Sequence, residues 1–257
     1  MSMDAVTDEK LKAVYDNSEK AKALNTELES ILYGADTGGK SWYDFFWDVF
    51  QANGTRASYY SAFYGSSWKD EIFKPKYDIK PTNAYGMFNN SGVTDLVETA
   101  NKCGIIFDFS NNENFQGSFS HSHIQRLGVI DTTSSNAIYQ TFYNAQEMHT
   151  IEKLIFKSDG SQTLTTPFRW NYALVNLSCE GAIGATISFA DATKLSLESA
   201  ISIITHLKDY SADTTNAYKY TLTFSSKTIA LLEAAGNASP NGTTWLEYID
   251  SLAWNCS

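Results

Sequence analysis

The chain has 257 residues, 43% of them hydrophobic and 19% charged, which is enough apolar material for a packed core and too little charge for a disordered tail. Its net charge of −10 argues against nucleic acid or an anionic membrane surface as partner, and no apolar run approaches the roughly 18 residues that insertion into a bilayer requires. The compositional bias lies in the aromatics, 6 Trp, 15 Tyr and 15 Phe against 4 Pro, which suits stacked layers or an aromatic binding surface.

The first twenty residues are polar and acidic and read as no secretory signal. Residues 4–32 predict one helix. Leu11, Val14, Ser18, Ala21, Asn25, Leu28 and Leu32 fall at alternating spacings of 3 and 4, a seam with polar interruptions at Ser18 and Asn25. Asp8 before Lys12 and Asp16 before Lys20 support it. The seam fits a self-oligomer, a docking segment for a larger assembly, or packing on the chain's own domain. Residues 33–41 are Gly-rich, and Trp42–Phe50 predicts a short aromatic helix.

Gly34 to Ser41 match G-x-x-x-x-G-K-[ST] letter for letter, and the runs ending at Asp108 and Asp131 resemble the acidic strand of nucleotide-binding proteins. A phosphate loop needs a buried strand before it. Residues 23–33 are helical in pattern and carry Glu27 and Glu29, so the match reads as a hinge, and no cofactor is expected.

From about residue 56 the chain repeats. Six phenylalanines, Phe63, Phe88, Phe119, Phe142, Phe168 and Phe189, open similar units with gaps of 25, 31, 23, 26 and 21 residues. A small residue or Asn stands three after each Phe: Ser66, Ser91, Ser122, Ala145, Asn171 and Ala192. An apolar residue follows five or six after, and in four units another three beyond that, as in Ile124 and Leu127. Read as stacked coils, the Phe fills the interior, the small residue turns the corner and the apolar pair starts a short strand.

After Leu195 the pattern changes. Ser196 predicts an N-cap for a helix over 197–209, followed by an alternating strand over 218–224 and helices over 226–235 and 244–253. The expected divisions are 1–40 (helix and hinge), 41–195 (repeat body) and 196–257 (a capping unit).

The segments Trp47–Leu96, His149–Phe189 and Lys194–Asp209 resemble the repeat proteins of phages and prophages of gut Firmicutes. Those are similar to BspA-type leucine-rich repeats, with a Phe, a Cys or Asn corner and a short L-x-x-L-like strand. The resemblance covers about residues 42–257. Here the corner Cys is replaced by Asn, Ser or Ala. The resemblance implies an α+β chain built on a short, irregular leucine-rich-repeat-like β-solenoid, with an N-terminal helix and a small α+β cap. It further implies a virion structural or host-recognition protein made in the bacterial cytoplasm, with no catalytic residues.

Candidates for chemistry are few. Cys103, Cys179 and Cys256 are odd in number and far apart, so neither disulfides nor a zinc site is expected. His121 and His123 form a spaced pair without a third ligand in sequence. Asp108, Glu113 and Asp131 are the carboxylates on which a polysaccharide depolymerase would rest. Aromatics off the repeat positions, Tyr59, Tyr60, Tyr64, Trp170 and Tyr172, are the candidates for an exposed ligand-binding strip. The expected function is therefore non-enzymatic: a phage tail or head-decoration protein attaching to a host-surface glycan or protein. Its virion partners would dock through residues 4–32. A purely structural assembly protein and a depolymerase are the alternatives.

Overall fold

A computed structural model describes residues 42–51 and 56–257. The expected helix over 4–32 and the Gly-rich segment with its phosphate-loop match lie outside the described residues. The first described element, helix α1 (Trp42–Phe50), forms where predicted. Helix α2 (Leu96–Cys103) follows, capped by the Asp95 carboxylate and closed by Gly104 in the left-handed conformation. Strands β1 (Arg126–Asp131), β2 (Ala137–Tyr139), β3 (Thr150–Ile155), β4 (Thr163–Thr165), β5 (Asn176–Glu180) and β6 (Ile187–Phe189) occupy the middle. Helix α3 (Leu197–Thr205), strand β7 (Thr221–Phe224), helices α4 (Ser226–Ala234) and α5 (Trp245–Ser251) and the short strand β8 (Asn255–Cys256) complete it.

The structure corrects the leucine-rich-repeat-like β-solenoid. The described chain is α+β, with its strands in three small parallel sheets ordered β1-β3-β5, β2-β4 and β6-β7-β8. The reason lies in the apolar pairs three residues apart. That spacing serves a helix turn as well as an irregular strand start. Leu127, Ile151 and Leu177 enter strands, whereas Leu96 opens α2. Before residue 110 the described residues form no strand, and their strand-like pairing is limited to isolated bridges such as Ser58 to Asn83 and Ile79 to Phe107.

What repeats is the turn around each phenylalanine. The N–H groups two before, at and two after the Phe donate to carbonyls of the next unit: Gly117 to Tyr139 (3.1 Å), Phe119 to Thr141 (2.8 Å) and His121 to Tyr143 (2.9 Å). The same three bonds join the units of Phe63, Phe88 and Phe142 to their successors. Both flanking positions are left-handed in every one of these units. Two before the Phe stand Ser61, Gly86, Gly117, Gln140 and Thr166; two after stand Gly65, Asn90, His121, Asn144 and Trp170. The phenylalanine rings consequently form a column, with centroids 5.8 Å apart from Phe88 to Phe119, 5.7 Å to Phe142, 5.1 Å to Phe168 and 4.7 Å to Phe189.

Helix α1 covers one end of this column, with Trp47 5.8 Å from Phe63. At the other end the column passes the expected boundary at residue 195: Phe189 meets Phe224 at 6.0 Å, and β6 pairs with β7. Residues on both sides share one hydrophobic core. The Ser196 hydroxyl caps α3 as predicted, and β7 is shorter than the alternating run because Tyr218 is left-handed.

Helix α3 also closes the open edge of the first sheet. The Ser199 and Ser202 hydroxyls accept the Leu177 and Cys179 N–H groups at 2.9 Å each. They stand where the carbonyls of another strand would be, so the edge is unavailable to a further strand. Ser199 is buried and also donates to the Val175 carbonyl. Replacing Ser199 with alanine strands the Leu177 N–H, and a loss of about 1–3 kcal/mol in urea unfolding is expected. Hydrogen exchange at the Leu177 amide should accelerate in the same variant.

Candidate functional site

Around each turn the backbone sorts side chains by offset from the core phenylalanine. Four residues before it the side chain points inward, as at Tyr59, Ala84, Phe115 and Ile138, all buried. This corrects the sequence reading of Tyr59, which is 1% exposed. Its hydroxyl accepts from the Gln51 amide at 3.1 Å, and burial pushes its pKa up. Tyr59 is a core residue and is not part of an exposed strip.

Three before the phenylalanine the side chain points outward. Tyr60, Tyr85, Gln116, Tyr139 and Thr165 occupy this position, and the last four are linked in sequence through the carbonyls that receive the ladder bonds. Tyr60 is 58% exposed, and its ring stacks on Tyr85 at 4.6 Å with 5° between planes. Tyr139 and Gln116 border a polar groove of about 490 Å³ whose other walls include Glu113, Asn114, Ser134 and Asn136.

Two after the phenylalanine, and one after it at Tyr64, Tyr143 and Arg169, the side chains again reach the surface, whereas Ser120, one after Phe119, is buried. Tyr64, one after Phe63, is 57% exposed. Tyr143, one after Phe142, lies 5.0 Å from Trp170 and 5.4 Å from His121. The Arg169 guanidinium sits 4.7 Å over the Trp170 ring. Tyr172 is exposed. The expected residues thus do not form one strip: Tyr60 belongs to a pair with Tyr85, and Trp170 to a cluster with Tyr143 and His121. Sequence reading missed Tyr85 and Tyr143, although both stand at the offsets of Tyr60 and Tyr64 from their own phenylalanines.

Trp170 departs from its equivalents. The other residues at its corner are Gly, Asn and His, which tolerate the left-handed conformation, whereas Trp170 holds φ +65°. A bulky residue there costs about 1–3 kcal/mol and is found where something else retains it. Its N–H also leaves the backbone ladder and donates to the Asp191 carboxylate at 2.8 Å.

The candidate carboxylates are engaged in their own turns. The Asp108 carboxylate accepts the Ser110 N–H and hydroxyl at 3.0 and 2.7 Å, and that of Asp131 accepts from Thr133 at 2.9 and 2.7 Å. The Ser110 bonds hold Asp108 below the usual carboxylate range, opposite to what a general acid needs. Glu113 lines the polar groove instead. His121 and His123 do not converge: His123 pairs with Glu147 at 2.7 Å, while His121 meets Ser120 and Tyr143. Among the described residues no group of three or more His, Cys, Asp or Glu is placed to hold a metal. Cys179 is buried in the sheet, and burial pushes its thiol up to about 12, so it is a core thiol. The three cysteines are free, and no described helix is long and apolar enough to cross a membrane.

Chemically, this surface offers flat aromatic faces with hydroxyl handles beside amide and carboxylate groups, which is what a sugar ring with its apolar face and polar rim requires. Compared with known proteins, the chain matches no family model, no curated protein and no solved structure.

Proposed function

We propose that this chain is a non-enzymatic attachment protein that takes a surface glycan on its outward aromatic side chains. One observation carries the reading: tyrosines recur outward at fixed offsets from the core phenylalanines, with Tyr60, Tyr64 and Tyr139 exposed and the Tyr60 ring stacked on Tyr85. Carboxylates bound up in their own turns fit binding better than turnover. The virion setting, with tail or head decoration as the site of display, rests on the resemblance of residues 42–257 to phage repeat proteins.

The test is retention of the full chain on an array of bacterial surface polysaccharides. Tyr60→Ala with Tyr64→Ala removes two exposed rings and should leave the circular dichroism spectrum unchanged. Glycan affinity should fall by about tenfold, the scale of one or two lost stacking contacts. Binding to no polysaccharide, or binding unchanged by the double substitution and by loss of the Trp170 ring, would overturn the reading.

A further inference from the structure

The polar groove of about 490 Å³ lies between two successive loops, with Glu113 and Gln116 on one wall and Asn136 and Tyr139 on the other. All four side chains are exposed. The faces of Tyr60 and Trp170 meet Tyr85 and Arg169. Tyr139 has no such partner among the aromatic rings and cations of the described residues, and it borders open space.

Buried polar side chains hold both walls in place. Asn112, fully buried, accepts the Ala84 N–H at 2.8 Å and donates to the Asn114 carbonyl at 3.2 Å. Gln162, 4% exposed, donates to the Thr132 and Ser135 carbonyls at 2.7 and 3.0 Å and accepts the Lys157 N–H at 2.9 Å. The buried Ser135 hydroxyl reaches the Glu113 carbonyl at 3.0 Å and so ties one wall to the other. A buried carboxamide is costly unless bonded. Here each bonds the backbone of a wall, so the groove stands formed before a ligand arrives.

Its charge is negative. Glu113 brings a carboxylate to the groove, and Asp108 and Asp131 cap the turns just before the two walls. Lys157, at the rim, donates to the Asn136 carboxamide oxygen, which leaves the Asn136 N–H groups for a ligand.

We infer that this groove is a subsite for an uncharged pyranose: the ring face lies on Tyr139, and neighbouring hydroxyls donate to the Glu113 carboxylate and accept from the Gln116 and Asn136 carboxamides. This rests on the glycan-attachment reading and adds the place and the charge class of one sugar.

The experiment is calorimetric titration of the full chain with hexamers of glucose, galactose and mannose and with the uronic-acid counterpart of each. At least one neutral hexamer should bind, about tenfold tighter than its uronate, and added salt should narrow the gap. Tyr139→Ala removes an exposed ring and should weaken neutral binding about tenfold with the circular dichroism spectrum unchanged. Glu113→Gln keeps the shape without the charge and should raise uronate binding until the preference is lost. Uronate binding as tight as neutral, neutral binding untouched by Tyr139→Ala, or a preference that survives Glu113→Gln refutes the subsite, while the broader glycan reading stands on the array and on Tyr60 and Tyr64. Binding of no hexamer by a chain that the array retains also refutes the subsite alone. Binding of no hexamer with no retention on the array refutes both.

Discussion

Truncating Phe142 to alanine should remove about 3–5 kcal/mol of stability, the range for a large aromatic lost from a close-packed core. Phe142 is fully buried. It is sandwiched face to face between Phe119 at 5.7 Å and Phe168 at 5.1 Å. The neighbouring rings cannot close over the gap, because the backbone fixes their spacing. Phe119 donates to the Thr141 carbonyl at 2.8 Å, and Phe142 to that of Pro167 at 3.1 Å. The cavity therefore persists, and its cost adds to the lost transfer energy. Urea unfolding should show the midpoint falling steeply, with Phe142→Leu falling much less. A loss below about 1 kcal/mol would mean that the column relaxes freely and that the ladder does not set its spacing.

Gly184→Ala should be comparably damaging for a different reason. A Cβ on Gly184 would stand 2.0 Å from the Gly160 carbonyl oxygen and 2.8 Å from its carbon. Both obstacles are backbone. Gly160 is itself left-handed, and the Gly184 carbonyl accepts the Tyr210 hydroxyl at 2.8 Å. Relief requires two turns to part, at a cost of about 3 kcal/mol or more. Gly104→Ala is the control: φ is +66° there with nothing within 4 Å of a Cβ, so only backbone strain of about 1 kcal/mol is added. Thermal unfolding of the two variants should separate close approach from conformation. Similar midpoints would refute the contact between residues 160 and 184.

Much of this architecture is written into the residues at short range. The repeat of Phe63, Phe88, Phe119, Phe142 and Phe168 identified the core column, because one large ring per unit at a near-constant offset has no surface explanation. The caps at Ser196 and the helix over 226–234 follow from local chemistry. The sheets were less legible, because an apolar pair three residues apart does not distinguish strand from helix. Leu96 and Leu127 occupy the same place in their units and went different ways. The left-handed corners could have been found: Gly65, Gly86, Gly117, Asn90 and Asn144 fall at two fixed offsets. Ser61, Gln140, Thr166 and Trp170 obscure the rule; ladder bonds hold the N–H groups of Ser61 and Gln140 there, and the Asp191 carboxylate holds that of Trp170. The candidate site was half visible. Tyr60, Tyr64, Trp170 and Tyr172 stand out in the sequence as aromatics off the repeat positions. Tyr59 was misplaced because facing depends on offset from the phenylalanine, and adjacent residues there face opposite ways. The partnership of Arg169 with Trp170 needed coordinates.

The ladder has an electrical polarity. In the turns of Phe63, Phe88, Phe119 and Phe142 the three linking N–H groups point toward the next unit, so their peptide dipoles add along the column instead of cancelling as in neighbouring strands. A run of hydrogen bonds aligned head to tail polarises its members and leaves partial positive charge where the last N–H groups emerge. That end is the unit of Phe168. There the Trp170 N–H meets the Asp191 carboxylate, an anion placed as an acidic residue is placed at the start of a helix. The column thus terminates electrostatically as well as sterically. The Asp191 carboxylate at that terminus meets the partial positive charge of the last turn, where such end effects are concentrated.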